Sequence, residues 1–274
     1  KLSPYFNEVW SNGRPAGFDE WLALVRALRR ARFDRVYDLQ TSSRSSALRA
    51  VLGPLPPQWS GIAVGASHKH RNARRDHMHT LERQADQLHA AGIWPDAPIQ
   101  PGSAPPPDLS WILSKYKEPR PIAGAPKPRT YALLVPGASE KRPEKRWPAE
   151  RFGELAARLR EQGLDVVIIG GPQESALART IQKSNGQARD LTGRTDFAQI
   201  AVLGARAALA VGNDTGPLHL IAAAGAPSVA LFSAASDPAL CGPRGHVAVL
   251  QAESLSDLDV DMVLRTAMSV MTPA

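Results

Sequence analysis

From Tyr131 to the end of the chain, short apolar, β-rich runs alternate with stretches whose apolar positions recur at helical spacing. Few architectures satisfy that alternation. The runs Tyr131–Val135, Asp165–Ile169, Ala207–Val211 and Ser228–Phe232 read as strands covered on both faces, which is the pattern of a parallel sheet. The intervening stretches Pro148–Glu161, Glu174–Ser184, Phe197–Gly204 and Pro217–Ala224 read as its crossover helices, so this half is predicted to be a doubly wound α/β domain. The first half repeats the theme less cleanly: helix Phe18–Arg32, strand Arg35–Leu39, helix Arg44–Leu52, an apolar stretch Trp59–Val64 and helix Met78–Ala91. Pro-rich segments, Pro101–Pro107 and Pro119–Pro128, flank a helical piece at Leu109–Tyr116 and read as a linker. The expectation is two α/β domains, 1–125 and 126–274, facing each other across a cleft. The first enters at what reads as a later loop, as though an opening βαβ segment of roughly 50 residues were missing.

Composition removes several classes. With 43% hydrophobic and 22% charged residues among 274, the chain holds enough apolar material for two modest cores. A single cysteine, Cys241, excludes a disulfide framework and a Cys-based metal cluster, and a cytoplasmic setting is expected. No apolar run approaches the roughly 18 to 20 residues that cross a bilayer. The net charge of +7 is unevenly spread: residues 1–129 hold 19 basic and 11 acidic groups, while 130–274 hold 14 and 15. That excess suggests an anionic partner for the first half, a phosphorylated lipid surface rather than nucleic acid, because aromatics total only 6% and no nucleic-acid module is present.

The most informative segment is Val211-Gly212-Asn213-Asp214-Thr215-Gly216-Pro217-Leu218-His219. A strand ends, Gly212 allows a tight turn, and Asp214 or Thr215 can cap a helix whose first turn contains Gly216 and Pro217. Backbone N–H groups at such a helix start point into the crevice where open α/β sheets bind ligands, and they suit a pyrophosphate. His219, four residues after Thr215, shares that face. Taken alone, the tetrapeptide Asn-Asp-Thr-Gly is equally a good turn and cap.

With its continuation through Ala222-Ala223-Ala224-Gly225-Ala226-Pro227, the segment resembles the signature of glycosyltransferase family 9, the ADP-heptose:lipopolysaccharide heptosyltransferases. Two further blocks are similar in order and spacing: Pro136-Gly137-Ala138-Ser139 through Lys145-Arg146-Trp147-Pro148, and Gly170-Gly171-Pro172-Gln173-Glu174. Asp38-Leu39-Gln40 followed by Arg44 resembles the family's acceptor-side motif, with Thr41 where the family usually has glycine. The resemblance implies a GT-B fold of two Rossmann-like domains and metal-independent, inverting transfer of a heptose or related sugar to a lipopolysaccharide-core acceptor. The donor would be ADP-heptose or another nucleotide sugar, held by the second domain, and no cofactor is implied. It further implies catalytic roles for Lys145, Asp214 and His219, and donor contacts from Ser139, Glu174, Asn213, Thr215 and Gly216. Asp38, Gln40 and Arg44 would bind the acceptor, an anionic glycolipid reached by peripheral contact with the inner face of the inner membrane.

Competing readings remain at this level. The family's general base resembles an Asp in an opening Gly-rich loop that this sequence does not carry, which favours a nucleotide-sugar-binding protein without turnover as the alternative. Lys145 could be a solvated loop charge within Glu140–Arg146. His68, His70, His77 and His79 are interspersed with Lys69, Arg71, Arg74 and Arg75, cations that would repel a metal and suit an anion-binding loop, to which Arg44 would add. Asp257, Asp259 and Asp261 spell a metal-sugar motif, yet they stand where a terminal helix, Leu258–Met271, needs acidic first-turn residues.

Overall fold

The computed structural model describes residues 4–11, 15–53, 55–94, 99–115 and 126–271. The chain divides into two compact units, one ending at Pro105 and the other beginning at Pro106.

The first unit is built on a parallel sheet in the order β1-β2-β3, with β1 at Arg35–Tyr37, β2 at Gln58–Gly61 and β3 at His68–Lys69. Helices α1 (Phe18–Ala31), α2 (Ser43–Val51) and α3 (Thr80–Ala90) accompany it. Helix α1 carries Asp19 and Glu20 in its first turn and Arg29 and Arg30 in its last, charges that complement its dipole. Ser42 and Ser45 cap α2 reciprocally. The core is small, with Leu24, Val25, Trp59 and Ala85 buried. Some of its interior is polar: Gln87 on α3 is 1% exposed and donates to the Asp38 carbonyl at 3.0 Å and to Ser60 at 3.3 Å.

The second unit opens with α4 (Ser110–Lys115), which lays Ile112 against Ala198, Ala201 and Val202. That packing is why the division falls at residues 105 and 106 rather than near 125: the piece expected in a linker belongs to the second core. Tyr116 and most of the predicted linker 119–128 lie outside the described residues.

Six parallel strands follow: β4 (Tyr131–Val135), β5 (Asp165–Ile168), β6 (Arg189–Asp190), β7 (Leu209–Asn213), β8 (Ser228–Ser233) and β9 (Val247–Ala252). Their spatial order is β6-β5-β4-β7-β8-β9, so winding runs one way from β4 to β6 and the other way from β7 to β9. Because side chains alternate across a strand, each strand feeds two cores. Ala132, Leu134, Ile168, Val211 and Leu231 pack with α5 (Ala149–Glu161), α6 (Ser175–Ser184) and α10 (Val260–Met271) on one face. Tyr131, Leu133, Val135, Ile169 and Phe232 pack with α7 (Phe197–Arg206) and α8 (Gly216–Ala223) on the other. A short helix, α9 (Pro238–Cys241), precedes β9.

Strand β7 lies two residues further along than the apolar run suggests, because Gly212 and Asn213 still pair with Leu231 and its neighbour on β8. Strands β6 and β9 were not legible: the first has two residues, and the second is an edge strand whose residues are only partly buried.

Candidate functional site

The reversal between β4 and β7 leaves a crevice at the carboxyl ends of these strands, where neighbouring loops diverge to opposite faces of the sheet. A cavity of about 400 Å³ occupies it. Three loops wall it: Gly137 to Lys145 after β4, Gly170 to Glu174 after β5, and Asp214 to Pro217 after β7. All are second-unit residues, and Lys145, Asp214, Ser139, Glu174, Thr215 and Gly216 meet on one surface although they are spread over 78 positions of sequence.

Glycines make this close approach possible. At Gly212 on β7 a Cβ would lie 2.6 Å from the Val135 Cβ and 2.9 Å from its carbonyl oxygen, so β4 and β7 approach as they do only without a side chain there. At Gly137 and Gly170 a Cβ would lie 2.8 Å and 2.9 Å from the Glu174 side chain. Glu174 is therefore able to sink to 5% exposure between two loops and accept from the Gly171 N–H at 2.6 Å. This is the physical content of the Pro-Gly-Ala and Gly-Gly-Pro-x-Glu blocks.

Asn213 has a different role from the donor contact implied by the resemblance. It is fully buried; its Oδ1 accepts from the Trp147 N–H at 3.0 Å and its Nδ2 donates to the Pro136 carbonyl at 2.8 Å. Both ends of the amide are consumed in tying the loop after β4 to β7. Trp147, 1% exposed, is anchored further by its indole N–H to the Leu258 carbonyl at 2.9 Å and by an edge-on contact with Phe152. With Trp147 fixed, Lys145 two residues earlier projects toward Asp214.

Asp214 is the electrostatic centre. Its Oδ2 accepts from Lys145 Nζ at 2.6 Å and from Ser236 Oγ at 2.9 Å, while Oδ1 faces His219 Nε2 at 3.1 Å. Burial pushes the carboxyl up, but the bonds from His219, Lys145 and Ser236 outweigh it and hold the group at about 2. His219 thus reaches Asp214 and is not among the residues that line the cavity.

Thr215 stands at the N-cap of α8 without a side-chain bond to the helix, and its Oγ1 is buried with no partner. Pro217 occupies the first turn, where a missing N–H is harmless, and Gly216 has open space around it. The helix start therefore presents backbone donors, a hydroxyl and the nearby Lys145 ammonium to the same volume. Arg142, which lines the cavity, and Ser236, behind Asp214, were missed at the level of sequence. The signal for Ser236 was its place just past β8, the strand beside β7.

In the first unit, Asp38 follows β1 and is 6% exposed, its Oδ1 accepting from the Thr41 N–H at 3.0 Å; Gln40 and Arg44 are exposed. Arg75 is not a free loop cation, since it bonds Thr41 Oγ1 at 2.9 Å and Asp76 at 2.6 Å. His70 pairs with Asp86 at 2.6 Å and His79 caps α3. Asp259 accepts from the Met262 N–H at 2.6 Å, and Asp261 pairs with Arg158 at 2.6 Å, so both have structural partners around α10.

The sequence profile of glycosyltransferase family 9 (heptosyltransferase) matches residues 21–256. The chain belongs to that family. Lipopolysaccharide heptosyltransferase 2 of Escherichia coli K12 is 28% identical to this family 9 chain over 247 residues, 82% of the chain and 66% of the relative. The chain thus spans slightly less than two thirds of that relative's length. Among solved structures, E. coli heptosyltransferase WaaC with ADP superposes with a TM-score of 0.71 at 23% identity, covering 92% of this chain and 78% of that one. E. coli ADP-heptose LPS heptosyltransferase II superposes with a TM-score of 0.69 at 24% identity, covering 91% and 80%. The fold of this family 9 member is accordingly of the GT-B class, with a Rossmann-like sheet in each unit.

Proposed function

We propose that the protein is a glycosyltransferase that moves a heptose, or a closely related sugar, from a nucleoside-diphosphate donor to the core of a lipopolysaccharide. The observation that carries this reading is the cavity at the β4–β7 reversal, where Lys145, the start of α8 and the unpartnered Thr215 hydroxyl converge on a volume of about 400 Å³. In that reading the pyrophosphate lies at Thr215 and Gly216, Lys145 turns from Asp214 to a phosphate oxygen, and Ser139 adds a donor from the loop after β4. Glu174, whose carboxylate borders the cavity, accepts from donor hydroxyls.

The chemistry follows from where charge develops. As the anomeric C–O bond breaks, its electron pair goes to the nucleoside diphosphate, and the ammonium and helix start stabilise that charge in place. These donors supply what a divalent cation would otherwise supply, so transfer proceeds without metal. The acceptor hydroxyl oxygen attacks the anomeric carbon from the face opposite the leaving phosphate, its proton passes to a base as the new C–O bond forms, and the configuration inverts. Asp38, Gln40 and Arg44 of the first unit serve the acceptor, an anionic glycolipid at the inner leaflet.

Calorimetric titration of ADP into the parent, Lys145→Ala and Asp214→Ala proteins tests this assignment. Lys145→Ala is expected to bind at least about ten-fold more weakly, the equivalent of one lost charge-assisted bond, and Asp214→Ala, which leaves Lys145 without the partner that places it, is also expected to bind more weakly, each with its melting transition retained. Parent-like binding by both variants would place the nucleotide elsewhere.

A further inference from the structure

Asp214 holds Lys145 through one carboxylate oxygen, yet Lys145 is a poor device for fixing a carboxylate, being a point charge on a flexible four-carbon stem. In the proposed function, that ammonium also turns away when a phosphate arrives. Two neighbours then remain to keep the carboxylate oriented, His219 on Oδ1 at 3.1 Å and Ser236 on the oxygen that Lys145 shares. The same Oδ2 accepts from Ser236 Oγ at 2.9 Å, and Ser236 stands on a segment with little freedom. Its N–H bonds the Ser233 carbonyl at 3.2 Å, the Ala235 N–H bonds Ser233 Oγ at 3.3 Å, and Asp237 caps α9 immediately afterwards at 2.8 Å. Ser233, the pivot of this turn, is 2% exposed. Across the crevice, Arg142 Nη2 donates to the Ala235 carbonyl at 2.6 Å, while its Nε donates to Glu144 at 3.0 Å. The loop after β4 is thereby clasped to the loop after β8, over the end of β7 that lies between them in the sheet.

We infer that Ser236 is a positioning residue of the donor site: held by the turn at Ser233 and by the Arg142 clasp, it keeps the Asp214 carboxylate placed so that Lys145 is held where the phosphates arrive. The inference rests on the proposed function, and it assigns Ser236 no contact with substrate. Its contribution is largest in the bound state, when Lys145 is shared with the ligand.

The test uses the full chain, ADP as probe, and the variants Ser236→Ala and Ser236→Thr, with Lys145→Ala alongside. Ser236→Ala is expected to weaken ADP binding by about ten-fold with its cooperative melting transition retained, and Ser236→Thr, which restores the hydroxyl, to return affinity to within about two-fold of the parent. Unchanged or tighter binding by Ser236→Ala, with Lys145→Ala defective, would overturn the positioning role and leave the donor site standing. A loss in Ser236→Ala that Ser236→Thr fails to rescue would overturn it in favour of a packing role. Parent-like binding by Lys145→Ala would overturn the donor-site reading itself, and this inference with it.

Discussion

Asp214 has an ordinary carboxyl value of 3.8 that folding lowers to about 2, because three donors face it. A carboxyl lowered by folding stabilises the folded state above its unfolded value, and that stabilisation is lost as the pH falls through the folded one. The gap in denaturant midpoint between the parent and Asp214→Asn is therefore expected to be constant from pH 7 to about 5 and to close between pH 4 and 2. A gap that widened on acidification would contradict the assignment of these bonds. Thr41 makes a second residue-scale test. It sits at φ 48°, a left-handed conformation unfavourable for a β-branched side chain by roughly 1 to 2 kcal/mol, at the position where the family usually has glycine. Its hydroxyl compensates by accepting from Arg75. Thr41→Ala keeps the strain and loses the bond, so it is expected to destabilise by about 1 kcal/mol. Thr41→Gly loses the bond but sheds the strain, and should lie closer to the parent in urea unfolding. The reverse order would mean that the backbone there is unstrained.

At the scale of elements, the approach of β4 to β7 depends on Gly212. Gly212→Ala must push these central strands apart or distort Val135, and such overpacking costs about 1 to 3 kcal/mol. A fall in denaturant midpoint, accompanied by weaker ADP binding, is the expected result; a neutral substitution would show that the strands can separate cheaply. Elements were also where sequence was most and least informative. Strand β4 could be read to the residue, because its five residues are all buried and apolar. Strands β6 and β9 escaped, since a two-residue strand has no period and an edge strand half-faces solvent. In the site, the motif residues lining the cavity were legible because each stands at a strand-to-helix turn. The structural task of Asn213 was not legible, since an amide buried against distant loops looks, in sequence, the same as one facing a ligand.

For the whole molecule, the division at residues 105 and 106 spreads the positive charge over both units. Counted to Pro105, the first unit holds 14 basic and nine acidic groups, and the second holds 19 and 17, so the excess is +5 and +2 rather than confined to one half. Arg71 and Arg74 remain exposed, whereas Arg75 is engaged with Thr41, and the case for an anionic surface at the first unit is correspondingly narrower. The second unit, by contrast, contains every residue that lines the cavity proposed for the nucleotide and its own two-faced core. A fragment spanning 106–274 is expected to unfold cooperatively and to bind ADP with parent-like affinity. A fragment that folds but does not bind would show that the first unit contributes to the site.

The pairing of β4 with β7 also bears on how the protein acquires its shape. These partners are adjacent in the sheet, yet the chain passes through β5, β6 and three helices before the second arrives. Contacts of such long sequence separation form late and slow folding, because the loop entropy is lost before the pairing repays it. Two of the three loops that wall the cavity follow these two strands, so a half-wound intermediate lacks part of the proposed nucleotide site. ADP should then leave the rate of refolding almost unchanged and slow the rate of unfolding, acting as a clasp on the finished molecule rather than a guide to its assembly.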